Sequence, residues 1–398
     1  MNLITEIEHS RAQFQRIRRD LHAHPELAFE ERRSAQVVAD LLQQWGIPHH
    51  TGLAGTGVVG IIKAGNSSRA IGLRADMDAL PIQEANSFDH ASRHPGKMHA
   101  CGHDGHTAML LAAAHHLQNT RDFDGTVYLI FQPAEEKGGG ARRMIEDGLF
   151  ERFPMESVYG IHNWPGMPTG FFGVNSGAIM ASSSEFRIIM RGKGSHAALP
   201  HNAIDPVSAI VQLAQSLQTI LTRNKRPTDS AVMSVTQIHA GETSNVIPDS
   251  AWLGGTVRTF SLEVLDLIEG RMRELAQHTG AGFGCEAEVE FSRNYPPTIN
   301  HAKETSVCVE VMRELVGTHN VEADLEPPMS AEDFSFMLQA RPGCYVLLGN
   351  GDGGHREHGH GAGPCMLHNT SYDFNDDLLP IGASYWVKLA QKILAKTV

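Results

Sequence analysis

The chain has 398 residues, of which 41% are hydrophobic and 20% charged, with a formal net charge of −12. This is the composition of a globular protein too long for one ordinary core, so two domains are expected. The acidic balance, with Lys and Arg scattered, argues against nucleic acid or an anionic membrane as partner. Apolar runs fall far short of the ~20 residues a membrane helix needs, and residues 1–20 lack an apolar signal core, so a cytoplasmic location is the expectation. Cys101, Cys285, Cys308, Cys344 and Cys365 are odd in number and widely spaced, and read as reduced thiols.

Residues 3–21 place Leu3, Ile7, Phe14, Ile17 and Leu21 at helical spacing. His22 and His24 follow, but Pro25 and the acids after it read as a capped helix start rather than a metal site. A helix over 34–45 ends at Gly46 and Pro48. Gly55, Gly57 and Gly60 match a dinucleotide-binding fingerprint, yet Val58, Val59, Ile61 and Ile62 supply a β-branched run where that motif needs a helix. A glycine turn entering a strand is the better reading. Residues 71–73 form a buried strand, after which Arg74, Asp76 and Asp78 share a face by period two. Two carboxylates there are suited to orienting histidine ligands.

An alanine-rich helix over 107–117 precedes a strand over 126–131, which ends in Gln132-Pro-Ala-Glu135-Glu136. Another apolar strand delivers His162. Strand and helix segments alternate to this point, which describes an α/β fold with a doubly wound, mostly parallel sheet. The texture changes near residue 182. Strand, helix, strand, strand, helix, strand over 183–294 is the split βαβ order of a smaller α+β, ferredoxin-like domain. It closes on Tyr295-Pro-Pro, so residues 183–294 read as an insertion between 1–182 and 295–398. A helix over 303–316, a strand over 344–348 and a helix over 381–396 return to α/β.

Residues 98–106 concentrate one Cys, three His and one Asp among glycines. Thiolate and imidazole suit a borderline-soft divalent metal. Cys101 and His103 flank a single glycine, so their side chains converge only on a sharply bent backbone, which Gly102 permits. Glu135 and Glu136 leave a buried strand where open α/β sheets place their sites. There Glu136 is able to bind metal while Glu135 reaches the attacking water. The loop 351–365 holds His355, His358 and His360 without any HExxH-type spacing and reads as a mobile, non-ligating segment. His368 stands just before a polar turn.

MHACGHDGHTA, QPAEE, IHNWP, GKGSHAALPH, TSNVIPDSA, GTVRTF, SAEDFS and LHNTSYDFND occur in this order. Together they resemble the metal-dependent aminoacylase and carboxypeptidase family M20, subfamily D, across essentially the whole chain. The resemblance implies two divalent metal ions (Mn, Zn, Co or Ni) held by Cys101, His103, Glu136, His162 and His368, with Cys101 bridging and Glu135 as general base. It implies that the inserted domain mediates homodimerisation, and that His196 reaches a neighbouring active site to contact the carbonyl oxygen. Asn245 and Arg258 resemble the residues receiving the substrate's carboxylate, and Asp76 and Asp78 stand where related branches carry a ligand-bearing strand motif. The implied reaction is hydrolysis of an N-acyl amino acid to a carboxylic acid and a free amino acid. A metallo-carboxypeptidase or dipeptidase on the same scaffold is the alternative, and a non-catalytic metal-binding protein is the alternative from another class.

Overall fold

The computed structural model describes residues 1–356 and 358–396. The chain divides into two compact units: Met1–Ile179 with Ile299–Glu326 and Asp333–Val398, and Met180–Thr298 with Pro327–Glu332. Among the described residues, no helix is long and apolar enough to cross a membrane.

The first unit is built on an eight-stranded sheet. Its strands lie in the order His49–Leu53, Gly57–Ala64, Gly125–Gln132, Ala70–Asp76, Ser157–Pro165, Gly343–Gly351, Phe172–Gly173, Val321–Glu322. The four central strands run parallel, while the first two pair antiparallel. Ala70–Asp76 and Gly343–Gly351 are buried along their whole length, as strands covered on both faces must be. The helix His103–Thr120 packs between Thr5–Ala23 and Leu378–Ile393, and its alanines permit that close approach. The glycine pattern at 55–60 resolves as read: Gly55 has φ +87°, and a strand starts at Gly57.

The helix read at 34–45 is present, but the capped helix start read at Pro25 is not. No helix starts near Pro25; the helix is Arg32–Gln44. Its first amides are satisfied from upstream, because the Glu26 carboxylate accepts from the backbone N–H groups of Arg33 (2.9 Å) and Ser34 (2.8 Å). A side chain seven and eight residues upstream of these amides thus replaces the usual N-cap.

The second unit has a four-stranded antiparallel sheet in the order Ala231–Ala240, Ser250–Thr259, Ser183–Arg191, Glu286–Tyr295. Pro206–Thr219 and Leu262–Gly282 cover it through a core of its own, including Ile188, Leu213, Leu253 and Ile268. Both helices are capped by sequence: Asp205 accepts from Val207 N–H (2.8 Å) and Ser261 from Val264 N–H (3.1 Å).

Candidate metal centre

Asp76 and Gln132 stand side by side where two parallel strands end. The chain returns to this point at Cys101, just before the helix His103–Thr120. Gly102 has φ +93°, and a Cβ there would lie 2.2 Å from Asn163 Oδ1 and 2.5 Å from Tyr372 Oη. Only glycine fits, and the bend it allows puts Cys101 Sγ 3.4 Å from His162 Nε2. His162 Nδ1 donates to its neighbour's backbone oxygen, Asn163 O (2.6 Å), which turns the Nε2 lone pair toward the sulfur. His103 Nδ1 donates to Asp78 Oδ1 (3.2 Å). Its Nε2 is buried without a hydrogen-bond partner among the described residues, and so is Glu136 Oε1.

The turn after Gly125–Gln132 brings the acids in. Gly138 and Gly139 take positive φ, and a Cβ on Gly140 would meet Pro133 O at 1.7 Å. Glu136 N–H donates to Asp78 Oδ2 (2.9 Å), so Asp78 holds both His103 and the backbone of Glu136. Glu136 Oε1 lies 3.2 Å from His368 Nε2 and 4.0 Å from His103 Nε2. His368 is anchored by its own N–H donating to Ala100 O (2.8 Å). The donor atoms of Cys101, His103 and His162 lie within 4.8 Å of one another, and so do those of Cys101, Glu136 and His368. The Cys101 sulfur belongs to both triads. Glu135 forms a third such group with His103 and Glu136.

A family model described as "Peptidase family M20/M25/M40" matches residues 72–392. The chain belongs to peptidase family M20. Hippurate hydrolase of Campylobacter jejuni is 41% identical over 396 residues, covering 99% of this chain and 100% of the relative. N-acetylcysteine deacetylase of Bacillus subtilis is 37% identical over 380 residues, covering 95% and 96%. The crystal structure of a dinuclear metal-binding M20 peptidase from Bacillus subtilis superposes with a TM-score of 0.83 at 33% identity, covering 98% of this chain and 100% of that one. This M20 chain is accordingly a metal-dependent amidohydrolase.

The donor set fits divalent metal on its own evidence. One sulfur, three imidazoles and a carboxylate converge, two of their atoms are buried and unpartnered, and the surroundings are strongly anionic. Burial, then Glu136 and Glu135, push the Cys101 thiol well above its ordinary value. Burial would keep His103 neutral, but Asp76, Asp78 and Glu136 outweigh it and raise its pKa to about 10. Burial, assisted by His106, holds His162 well below its usual range, so its lone pair stays available. Divalent cations would take the place of the protons these groups otherwise hold.

Asp76 does something different from Asp78. Its Oδ1 lies 2.6 Å from His106 Nδ1 and its Oδ2 accepts from Arg74 Nη1 (2.7 Å), while His103 Nε2 stands 3.8 Å away. Burial disfavours its charge, yet His103, Arg74 and His106 hold it well below the usual carboxylate range. His106, Asn163 and Tyr372 were not singled out by the sequence. His106 Nε2 lies 2.7 Å from Asn163 Oδ1, and Asn163 Nδ2 donates to Tyr372 Oη (2.6 Å). This row underlies the Gly102 bend.

His196, Asn245 and Arg258 lie in the second unit. Ser195–His196 pairs with Val246–Ile247, and Ala197 N–H donates to Asn245 O (3.0 Å). His196 is exposed, and its Nδ1 accepts from Ala198 N–H (3.0 Å), which leaves the ring proton on Nε2. Arg258 is half-buried, and burial lowers its pKa against the opposing pull of Glu185. In the loop singled out for its histidines, His360 Nε2 lies 3.2 Å from Asp373 Oδ2 and His355 Nε2 lies 3.2 Å from Asp373 O.

Proposed function

We propose that this amidohydrolase cleaves N-acyl amino acids, hippurate-like or N-acetylated, to a carboxylic acid and a free amino acid. Cys101, His103, Glu136, His162 and His368 would hold two divalent ions, the Cys101 sulfur serving both donor triads. The observation that carries this reading is that one sulfur is shared by two donor triads while Glu135 shares its surroundings with His103 and Glu136. Ions bound there would polarise the amide carbonyl and make water a better nucleophile near neutral pH.

The chain's own groups do the rest. Glu135 is buried and takes the proton of the attacking water, then passes it to the departing amine nitrogen. Asp78 fixes the His103 ring so that Nε2 faces inward, and the Asn163 carbonyl does the same for His162. We assign the Nε2 proton of His196 to the carbonyl oxygen, supplied by the partner in a cytoplasmic homodimer. Arg258 offers a planar fork for the substrate's carboxylate, and Asn245 adds a donor. Two relatives, a hippurate hydrolase and an N-acetylcysteine deacetylase, support this substrate class.

The test is turnover of hippurate, a set of N-acetyl amino acids and a set of dipeptides by the metal-loaded enzyme. Hydrolysis of the acylated amino acids ahead of dipeptides is expected. Preference for dipeptides would replace this reading with a peptidase. Glu135→Gln should keep metal bound and lower turnover by on the order of 10²–10⁴.

A further inference from the structure

The segment 133–139 carries both Glu135 and Glu136 and has no regular structure of its own. Ala134 within it sits at φ 55°, a conformation that persists only when the surroundings dictate it. One side chain grips both ends of this segment. The Asp333 carboxylate accepts from Gln132 Nε2 at the entry (2.7 Å to Oδ1, 2.9 Å to Oδ2) and from Ala141 N–H at the exit (2.9 Å). Arg74 Nη2 donates to the same carboxylate (3.1 Å), and Asp333 is fully buried. From that fixed position its backbone N–H is 3.4 Å from Glu135 Oε1.

We infer that Asp333 is a positioning residue for Glu135: it staples the two ends of the 133–139 turn and aims the base's carboxylate through its own backbone N–H. The inference rests on the reading of Glu135 as base. Glu31 accepts from Ala134 N–H (2.9 Å) but reaches neither end. A carboxylate held in this way by a buried guanidinium, an amide and a backbone N–H is rigid, and small displacements of a base are felt strongly in rate.

The test is a double-mutant cycle on the metal-loaded enzyme, with metal content measured for every variant. Asp333→Asn is isosteric, leaves Arg74 paired with Asp76, and weakens the staple. It should lower kcat by on the order of 10- to 100-fold, with KM and metal content close to wild type. Glu135→Asp draws the carboxylate back from the Asp333 N–H. In that background Asp333→Asn should lower kcat by no more than about twofold. The same fold-loss in both backgrounds, a rise in KM at unchanged kcat, or a loss that tracks missing metal would each overturn the inference. Gln132→Met carried through the same cycle serves if Asp333→Asn does not fold, and should show the same non-additivity with a smaller loss. An active Glu135→Gln enzyme would remove the base itself, whereas an additive cycle beside an inactive Glu135→Gln removes only the role of Asp333.

Discussion

His103 and Asp104 are neighbours at the start of one helix, yet they enter two different buried polar clusters. His103 joins the Cys101 centre. Asp104 joins a network in which Arg18 Nε donates to Asp376 (2.7 Å), Arg18 Nη1 donates to Asp373 (3.1 Å), and Asp104 Oδ2 stands 2.9 Å from His22 Nδ1. His22 Nε2 meets Glu84 Oε1 (3.2 Å), and His90 Nε2 meets Asp373 Oδ1 (3.2 Å). Both clusters mix histidine with carboxylate and both are buried. In the Arg18 network, positive groups are interleaved with the acids. In the Cys101 centre, metal-type donor atoms from several residues converge instead, and among the described residues His103 Nε2 and Glu136 Oε1 make no hydrogen bond, with His368 Nε2 3.2 Å from that Glu136 oxygen. Converging donor atoms, rather than histidine content, mark the place for a cation.

That contrast breaks or holds under substitution. The largest effect expected is at Cys101: Cys101→Ala should remove essentially all turnover and lower the metal content read by elemental analysis, while the fold is kept. Asp104→Asn should do the reverse. It strips a buried partner from His22 and Arg18, so denaturant unfolding should show a loss of about 3–5 kcal/mol with metal content unchanged. Asp78→Asn weakens the grip on His103 and should reduce metal affinity by roughly 10- to 100-fold in a chelator competition.

The smallest effect concerns pH. Burial opposes the charge on His22, but Asp104 and then Glu84 outweigh it and raise its pKa to about 10. A raised folded value stabilises fully below the ordinary histidine range and is lost as pH climbs through about 10. The melting temperature of the metal-loaded protein should therefore fall between pH 7 and 10, and His22→Gln should flatten part of that fall. An identical slope in the two proteins would break the assignment of charge to His22.

The features legible in the sequence are local ones. A glycine between two donors announces its own bend, and a pair of acids after an apolar β run announces a strand exit, so the convergence around Cys101 could be anticipated. The parallel run of strands at the centre of the sheet follows from strand–helix alternation in the same way, although the order of those strands does not. His106 was in plain view three residues from His103, but its partners Asp76 and Asn163 are 30 and 57 positions away. Nothing in its neighbours tells a ring held by such partners from a ligand. The role of Asp333, which stands in SAEDFS, was hidden for the same reason, since its bonds to Arg74, Gln132 and Ala141 span some two hundred residues. Glu26 shows a limit for local structure too: Pro25 and the acid beside it read as a helix start, yet the Glu26 carboxylate reaches forward to the first amides of a helix that begins at Arg32.

The central proposal is that the Cys101 sulfur serves both donor triads when two ions are bound. An anomalous difference map from crystals grown with zinc tests it most directly. Two peaks are expected, each about 2.3 Å from Cys101 Sγ, one also bound by His103 and His162 and the other by Glu136 and His368. A single peak, or two peaks of which only one touches the sulfur, would contradict it.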